Sequence, residues 1–279
     1  MPKLRKLMFV LPNLFTVTSI FCGFHAITLC MGEPSPAHLQ QAAIAILFAM
    51  FFDGFDGRVA RLTKTQSQFG MELDSLADVI SFGVAPALLV YQWALGDWGM
   101  AGTFVAFAYA ACGALRLARF NVIAQRSHGA GGSSDFFVGL PIPFAAFGIV
   151  VLVLAHHALT EGAELGPAAQ APVAVAVGLL SLLMVSTVRY RTFKKVRLNR
   201  ISLGLGGTIA AAAAAVAFVW HPAFMLAMLF GAYLVMGLGE SMVLLGRRVV
   251  AQRVGGAAAA VLEGDDADDD DDDEDEVAA

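Results

Sequence analysis

Residues 51–83 read FFDGFDGRVARLTKTQSQFGMELDSLADVISFG. Two apolar stretches, each carrying a pair of aspartates, are joined by a short polar link. Asp53 and Asp56 are three apart, and Asp74 and Asp78 are four apart. On a helix either spacing puts both members of a pair on one face. The two helices are consecutive and the link is short, so the two acidic faces can meet.

The surroundings make those acids unusual. The chain has 279 residues, of which 58% are hydrophobic and only 15% charged, and its mean hydropathy is +0.69. A soluble domain averages about 25% charged residues, so the composition points to an integral membrane protein. A helical span needs about 20 apolar residues to cross a hydrocarbon core of about 30 Å. Eight stretches qualify, near 8–31, 39–62, 73–95, 99–122, 138–160, 168–190, 201–220 and 222–245. Pro34 and Pro36 mark one turn, and Trp220, His221 and Pro222 mark a tighter one. The apolar run after the basic N-terminus outlasts a signal-peptide core and is expected to be a retained first span. The expected fold is all-α, with residues 1–250 forming the transmembrane domain.

Charge orients the bundle. Lys3, Arg5 and Lys6 precede the first span, and Arg58, Arg61 and Lys64 end the second. Arg116, Arg119 and Arg126 end the fourth. A group from Arg189 to Arg200 follows the sixth, and Arg247, Arg248 and Arg253 follow the eighth. With eight spans every Lys and Arg falls on one side, and the opposite turns carry Glu33, Asp97, Glu161 and Glu164. The positive-inside rule makes the basic side cytoplasmic. Both termini and the acidic pairs then face the cytoplasm from the cell (inner) membrane.

The net charge of -5 conceals this basic body. Glu263–Glu276 alone holds nine Asp and three Glu, so the remaining chain is near +7. Residues 251–279 are expected to form a disordered acidic tail, because like charges repel and nothing there can be buried. Cys22, Cys30 and Cys112 lie in apolar runs without metal-ligand spacing and read as small core residues.

Four part-buried carboxylates need countercharge, and Arg58 and Arg61 cannot neutralise all of them. Ligands that are all oxygen suit hard divalent ions such as Mg²⁺ or Mn²⁺. Two other readings stay open at this point. One is an intramembrane salt-bridge cluster. The other is an ion-coupled transporter site, although transporters place such acids nearer the midplane. Gly57 lies one turn beyond Asp53 and Ala60 one turn beyond Asp56. Both leave room for a ligand or for close helix approach.

The full pattern is Asp-x2-Asp-Gly-x2-Ala-Arg-x8-Gly-x3-Asp-x3-Asp, filled by Asp53, Asp56, Gly57, Ala60, Arg61, Gly70, Asp74 and Asp78. At every position it resembles the signature of the CDP-alcohol phosphotransferases. The resemblance implies a six-helix core, here with two further C-terminal helices. It implies that Asp53, Asp56, Asp74 and Asp78 hold two divalent metals, with Asp78 also the base for the acceptor hydroxyl. It implies that Gly57, Ala60, Arg61 and Gly70 line the cytidine diphosphate site. Homodimerisation is a family expectation, and no nucleic-acid partner is expected.

Segments beyond the motif narrow the acceptor. They are LPNLFTVTSIFCGF (11–24), SFGVAPA (81–87), ALRLARFN (114–121), FFVGLPIPFAA (136–146) and LLMVSTVRYRTFKK (182–195). Together they are similar to bacterial and archaeal phosphatidylserine synthases within that family. The implied reaction joins CDP-diacylglycerol and L-serine into phosphatidylserine and CMP in a lipid membrane. Glycerol phosphate, inositol phosphate or choline as acceptor, and an ether-lipid donor, are the alternatives.

Arg116 and Arg119, three apart, could receive the serine carboxylate or a lipid phosphate, or could simply anchor the cytoplasmic helix end; Arg189 shares this ambiguity. Asn13 and Thr16, one turn apart, could contact the nucleotide or be polar helix-end residues. His25 is expected to be buried and hydrogen-bonded between helices, whereas His156 and His157 fall on the far side.

Overall fold

The computed structural model describes residues 2–63, 65, 67–127, 136–187 and 189–191, together with 225, 226, 228 and 230–232. The described chain is helical apart from one short ribbon. α1 (Pro2–Leu29) and α2 (Pro36–Leu62) are joined by a tight turn. Ser35 ends that turn as the N-cap of α2: its hydroxyl accepts from the His38 N–H and Pro36 fills the first helical turn.

A third rod runs from Gln68 to Trp98. It comprises α3 (Gln68–Asp78), a π-helical segment Val79–Val84, α4 (Ala85–Val90), a second π-helical segment Tyr91–Leu95 and a short 3₁₀ turn Gly96–Trp98. α5 (Met100–Ser127), α6 (Ile142–Thr160) and α7 (Pro167–Val185) follow. Five of the helical stretches are long and apolar enough to cross a membrane: Pro12–Leu29, Gln68–Trp98, Met100–Ile123, Ile142–Thr160 and Pro167–Val185. α2 has comparable length but carries Asp53, Asp56, Arg58 and Arg61 in its second half. Large apolar side chains such as Phe21, Phe24, Phe104, Phe107 and Leu182 point outward, as expected where the surrounding solvent is lipid rather than water.

These six rods correspond to the first six expected spans. The expected spans at 201–220 and 222–245 and the acidic tail at 251–279 lie essentially outside the described residues. Two boundaries differ from the sequence expectation. The third rod starts at Gln68, five residues before the expected 73, because Ser67 caps it: the Ser67 hydroxyl accepts from the Gly70 N–H at 3.0 Å. The fifth and sixth spans are shorter than expected at their shared end. Residues Phe136–Val138 (β1) pair antiparallel with Arg189–Arg191 (β2), Val138 opposite Arg189. Gly139 has φ +80° and Pro141 precedes α6, so the chain cannot enter that helix until Ile142. Ser186 is extended and stops α7.

The core lies where α1, α2, the long rod and α6 converge, with α5 and α7 packed side by side against it. Helices in lipid associate through close packing and hydrogen bonds rather than through the hydrophobic effect, and both devices are present. Ser19 Oγ donates to the Ala49 carbonyl, and Ser81 Oγ donates to the Ser19 carbonyl, each at 3.0 Å. Gly23 lets α1 approach the first π-helical segment: a Cβ there would lie 2.7 Å from Ser81 Cα. Pro86 has no N–H to give the turn before it, and the Phe82 carbonyl accepts from the buried Tyr109 hydroxyl at 3.1 Å instead. His25 departs from expectation. Its ring is exposed and stacks on Phe21, one turn earlier on the same helix.

Candidate metal and nucleotide site

The end of α2 and the start of α3 are both packed against α1. Phe15 of α1 packs on Phe52 and Phe55 of α2 with ring centroids 6.5 and 6.3 Å apart. These contacts fix the α1–α2 register just where the acids begin. Asp53, Asp56 and Asp74 each place one carboxylate oxygen within 4.8 Å of the others. Asp78 stands outside that triplet but its side chain meets that of Asp53. The two pairs read from spacing alone therefore do converge.

Thr16 secures the most enclosed of the four. Its hydroxyl donates to Asp56 Oδ2 at 2.8 Å, and the two residues are only 3% and 5% exposed. The Gly57 N–H donates to the other Asp56 oxygen. Asp53 Oδ1 and Asp78 Oδ1 are buried and receive no hydrogen bond among the described residues. Buried carboxylate oxygens side by side, with no donor aimed at them, are stabilised by a cation between them or by a shared proton. All-oxygen donors match a hard divalent ion, so these residues fit the metals that the sequence implies.

A cavity of about 330 Å³ opens beside the carboxylates, at the lower edge of the roughly 300–1,000 Å³ typical of small-molecule sites. Asn13, Thr16, Gly57, Ala60, Arg61 and Gly70 all line it, with Asp56 and Asp74 at its acidic wall. The Arg61 guanidinium lies over Gly57, 3.6 Å from where a Cβ would stand. Gly70 sits close under Ser67, whose Oγ lies 3.2 Å from where a Cβ would stand, with Asn13 Oδ1 at 3.5 Å. Every residue assigned to the nucleotide, Asn13 and Thr16 included, lines the same cavity as Asp56 and Asp74.

The arginines separate. Arg116 is 9% exposed, lies against the Phe120 ring at 5.9 Å, and is the cation electrostatically coupled to Asp78. Arg119 is exposed and points elsewhere, donating to the Val185 carbonyl at the end of α7 at 3.3 Å. Arg189 stands in β2, paired by backbone with Val138.

Sequence reasoning missed several polar residues here. Thr65 and Ser67, in the link between the acidic helices, line the cavity. Thr65 is 7% exposed, and its hydroxyl meets that of Thr63 at 2.7 Å. Asn121 Nδ2 donates to Ser75 Oγ at 2.9 Å, tying the end of α5 to the residue between Asp74 and Asp78. The signal was available in the polar run TKTQS (63–67) and in the Asn that closes ALRLARFN.

A model of the CDP-alcohol phosphatidyltransferase family matches residues 9–182. The chain is 41% identical over 198 residues to a CDP-diacylglycerol–serine O-phosphatidyltransferase of Helicobacter pylori, covering 69% of this chain and 76% of that one. It is 34% identical over 187 residues to the Bacillus subtilis protein of the same name, covering 66% of this chain and 92% of that one. The protein of that name from Saccharomyces cerevisiae is 43% identical over 133 residues, 46% of this chain and 48% of its own length. The matched region begins in α1 and ends in α7, and so contains every wall of the site: this chain belongs to the CDP-alcohol phosphatidyltransferase family.

Proposed function

We propose that this chain is a membrane transferase that moves a phosphatidyl group from CDP-diacylglycerol to L-serine, releasing CMP and forming phosphatidylserine. The observation that carries the reading is the convergence of Asp53, Asp56 and Asp74 within 4.8 Å beside a cavity lined by the remaining residues of the motif. The choice of serine rests on the relatives' activity and on the segments outside that motif.

Asp53, Asp56, Asp74 and Asp78 would hold two divalent ions, Mg²⁺ or Mn²⁺. When bound, such ions neutralise the pyrophosphate and the charge that develops on attacking and leaving oxygens. Thr16 orients Asp56 through its 2.8 Å hydrogen bond. Arg61, Gly57 and Gly70 shape the cavity in which the cytidine diphosphate portion sits. Asp78 takes the proton of the acceptor hydroxyl, and its Oδ1, buried and without a donor, has a lone pair for it. The acceptor oxygen replaces CMP on the phosphatidyl phosphorus, and the pyrophosphate bond breaks. Arg116 stands closest to Asp78 in electrostatic terms and receives the acceptor's carboxylate. Arg119 and Arg189 act at the edge of that region, where they can meet lipid phosphate.

The fold reading extends to eight spans, with the active site and both termini in the cytoplasm, since every Lys and Arg then falls at the acidic-pair end. The homodimer is the assembly that the family resemblance implies. Purified protein supplied with CDP-diacylglycerol and a panel of acceptors tests the reading. Serine should drive CMP release and phosphatidylserine formation, in the presence of Mg²⁺ or Mn²⁺ only. Turnover with glycerol phosphate or inositol phosphate but not serine would overturn the acceptor. Full CMP release in excess chelator would overturn the metal mechanism.

A further inference from the structure

A second cavity, of about 200 Å³, lies at the opposite end of the bundle. Its walls come from the α1–α2 turn, the second π-helical segment, the end of α6 and the α6–α7 loop. The first cavity lies at the far end of α2, beyond Asp56, so the two are separated by the length of that helix and share no wall.

The chemistry of its lining is specific. Trp93 and His156 present aromatic rings, packed edge to face with centroids 5.6 Å apart. Asp97 and Glu164 contribute carboxylates. Gln170 is 8% exposed and organises one of them: its Nε2 donates to Asp97 Oδ2 at 2.8 Å while its Oε1 accepts from Trp98 Nε1 at 3.0 Å. One Asp97 oxygen thus stays available, and the loop that carries it is held in place.

Asp97 and Glu164 are both exposed, and no Lys or Arg lines the cavity among the described residues. Every wall residue lies in the stretches 7–57, 65–115 or 127–188, which contain no Lys or Arg at all. His156 and His157 add imidazole nitrogens to the wall. An aromatic ring, two carboxylates and a wall without Lys or Arg form the complement of an ammonium group. The second π-helical segment, Tyr91–Leu95, contributes Gln92 and Trp93 to the cavity wall, and π-helical turns recur at functional sites.

We infer that this cavity is a second binding site, for the ammonium head group of a small amine or of an amine-bearing lipid. It is separate from the transfer chemistry and would let the enzyme sense the amine-bearing composition of the opposite membrane face. The volume admits a head group of a few heavy atoms, since a water takes about 30 Å³ of liquid. Acyl chains would remain outside, along the exposed apolar surface of the helices.

The test uses the full chain in a maltoside detergent, which itself carries no ammonium. Dihexanoyl phosphatidylcholine and dihexanoyl phosphatidylethanolamine are titrated against the protein by calorimetry, with dihexanoyl phosphatidylglycerol as the ammonium-free comparison. Saturable binding is expected for the first two and none at this site for the third. Trp93→Leu and Glu164→Gln should each weaken binding about three- to tenfold while CMP release from CDP-diacylglycerol stays at the wild-type rate. Phosphocholine or ethanolamine competing as well as the lipids assigns the site to soluble amines, and failure to compete assigns it to lipid; either supports an ammonium site. Equal binding of phosphatidylglycerol overturns the proposal, as does unchanged binding in both variants, each checked for wild-type melting.

Discussion

Replacing Thr16 with Val isolates one hydrogen bond of the acidic cluster. Valine keeps the branched shape and removes only the hydroxyl that donates to Asp56 Oδ2 at 2.8 Å. That hydroxyl also lies 3.2 Å from the Pro12 carbonyl, but a single proton favours the shorter, charged acceptor. Thr16 and Asp56 are 3% and 5% exposed but both line the cavity, so only a cavity water can replace the lost donor, and one that does so puts the effect at the lower end of the range. A hydrogen bond to a charged group contributes about 1.5–3 kcal/mol, and each 1.4 kcal/mol is a factor of ten in an equilibrium. The half-saturating metal concentration for CMP release should therefore rise about 10- to 150-fold. Turnover at saturating metal should fall much less, because the carboxylates themselves remain. Thr16→Ser, which keeps the hydroxyl, should behave nearly as wild type. The assay is CMP release against Mn²⁺ or Mg²⁺ concentration, with melting temperature as the control for folding. A Val variant with wild-type metal requirement and wild-type melting would show that Asp56 needs no help from α1, and the role given to Thr16 would fall.

Asp78→Asn should lower turnover by at least 10²-fold, the usual scale of a lost general base, while CDP-lipid binding measured by equilibrium titration is largely kept; wild-type turnover would remove Asp78 from the base role. Gly23→Ala pushes a methyl to within 2.7 Å of Ser81 Cα, a backbone atom, and overpacking of this kind costs about 1–3 kcal/mol; a clear drop in melting temperature is expected, and an unchanged melt would mean that α1 and the long rod are looser than described. Tyr109→Phe strands the Phe82 carbonyl and should cost about 1–3 kcal/mol of stability with the metal requirement unaltered, read from melting and metal titration together. Truncation after Leu262 removes the acidic run; screened charges beyond a Debye length of about 8 Å exert little force, so turnover should stay within about threefold, and a much lower metal requirement would show instead that the tail competes for the metals.

What the sequence made legible divides along a physical line. Asp53, Asp56, Asp74 and Asp78 stood out because charge in an apolar run is costly and helical spacing converts directly into shared faces. Asn13 and Thr16, uncharged and one turn apart near the end of a span, left both readings open, because a neutral polar residue at a helix end costs little in either. The two π-helical segments were not, since periodicity over 68–98 reads as one continuous apolar helix whether or not a residue is inserted. The β1–β2 ribbon escaped because Phe136–Val138 continues the apolar composition of the adjoining span while Arg189–Arg191 reads as a basic helix end, and only Gly139, Pro141 and the extended Ser186 mark the break. His25 was misjudged on sidedness: a helix that meets lipid over much of its circumference has weak amphipathicity, so spacing does not say which polar residue faces inward. The Asn121–Ser75 tie joins residues 46 apart, and nothing local announces such a pair.

The inserted turns in the third rod have a consequence for how its two ends can change. An α-helix advances about 100° per residue, so each π-helical segment acts as a phase adjuster between the stretches it joins. Were Val79–Val84 to close up into α-helix with no residue removed, everything beyond it would rotate by roughly that angle. Asp74 and Asp78, upstream, would keep their facing toward α2, while Leu89 and Val90, both fully buried, would swing toward the periphery. The rod thus behaves as two independently indexed pieces on one axle. One piece is clocked to the carboxylates and the other to the opposite face, and a change in register at the joint can retune one end without moving the other.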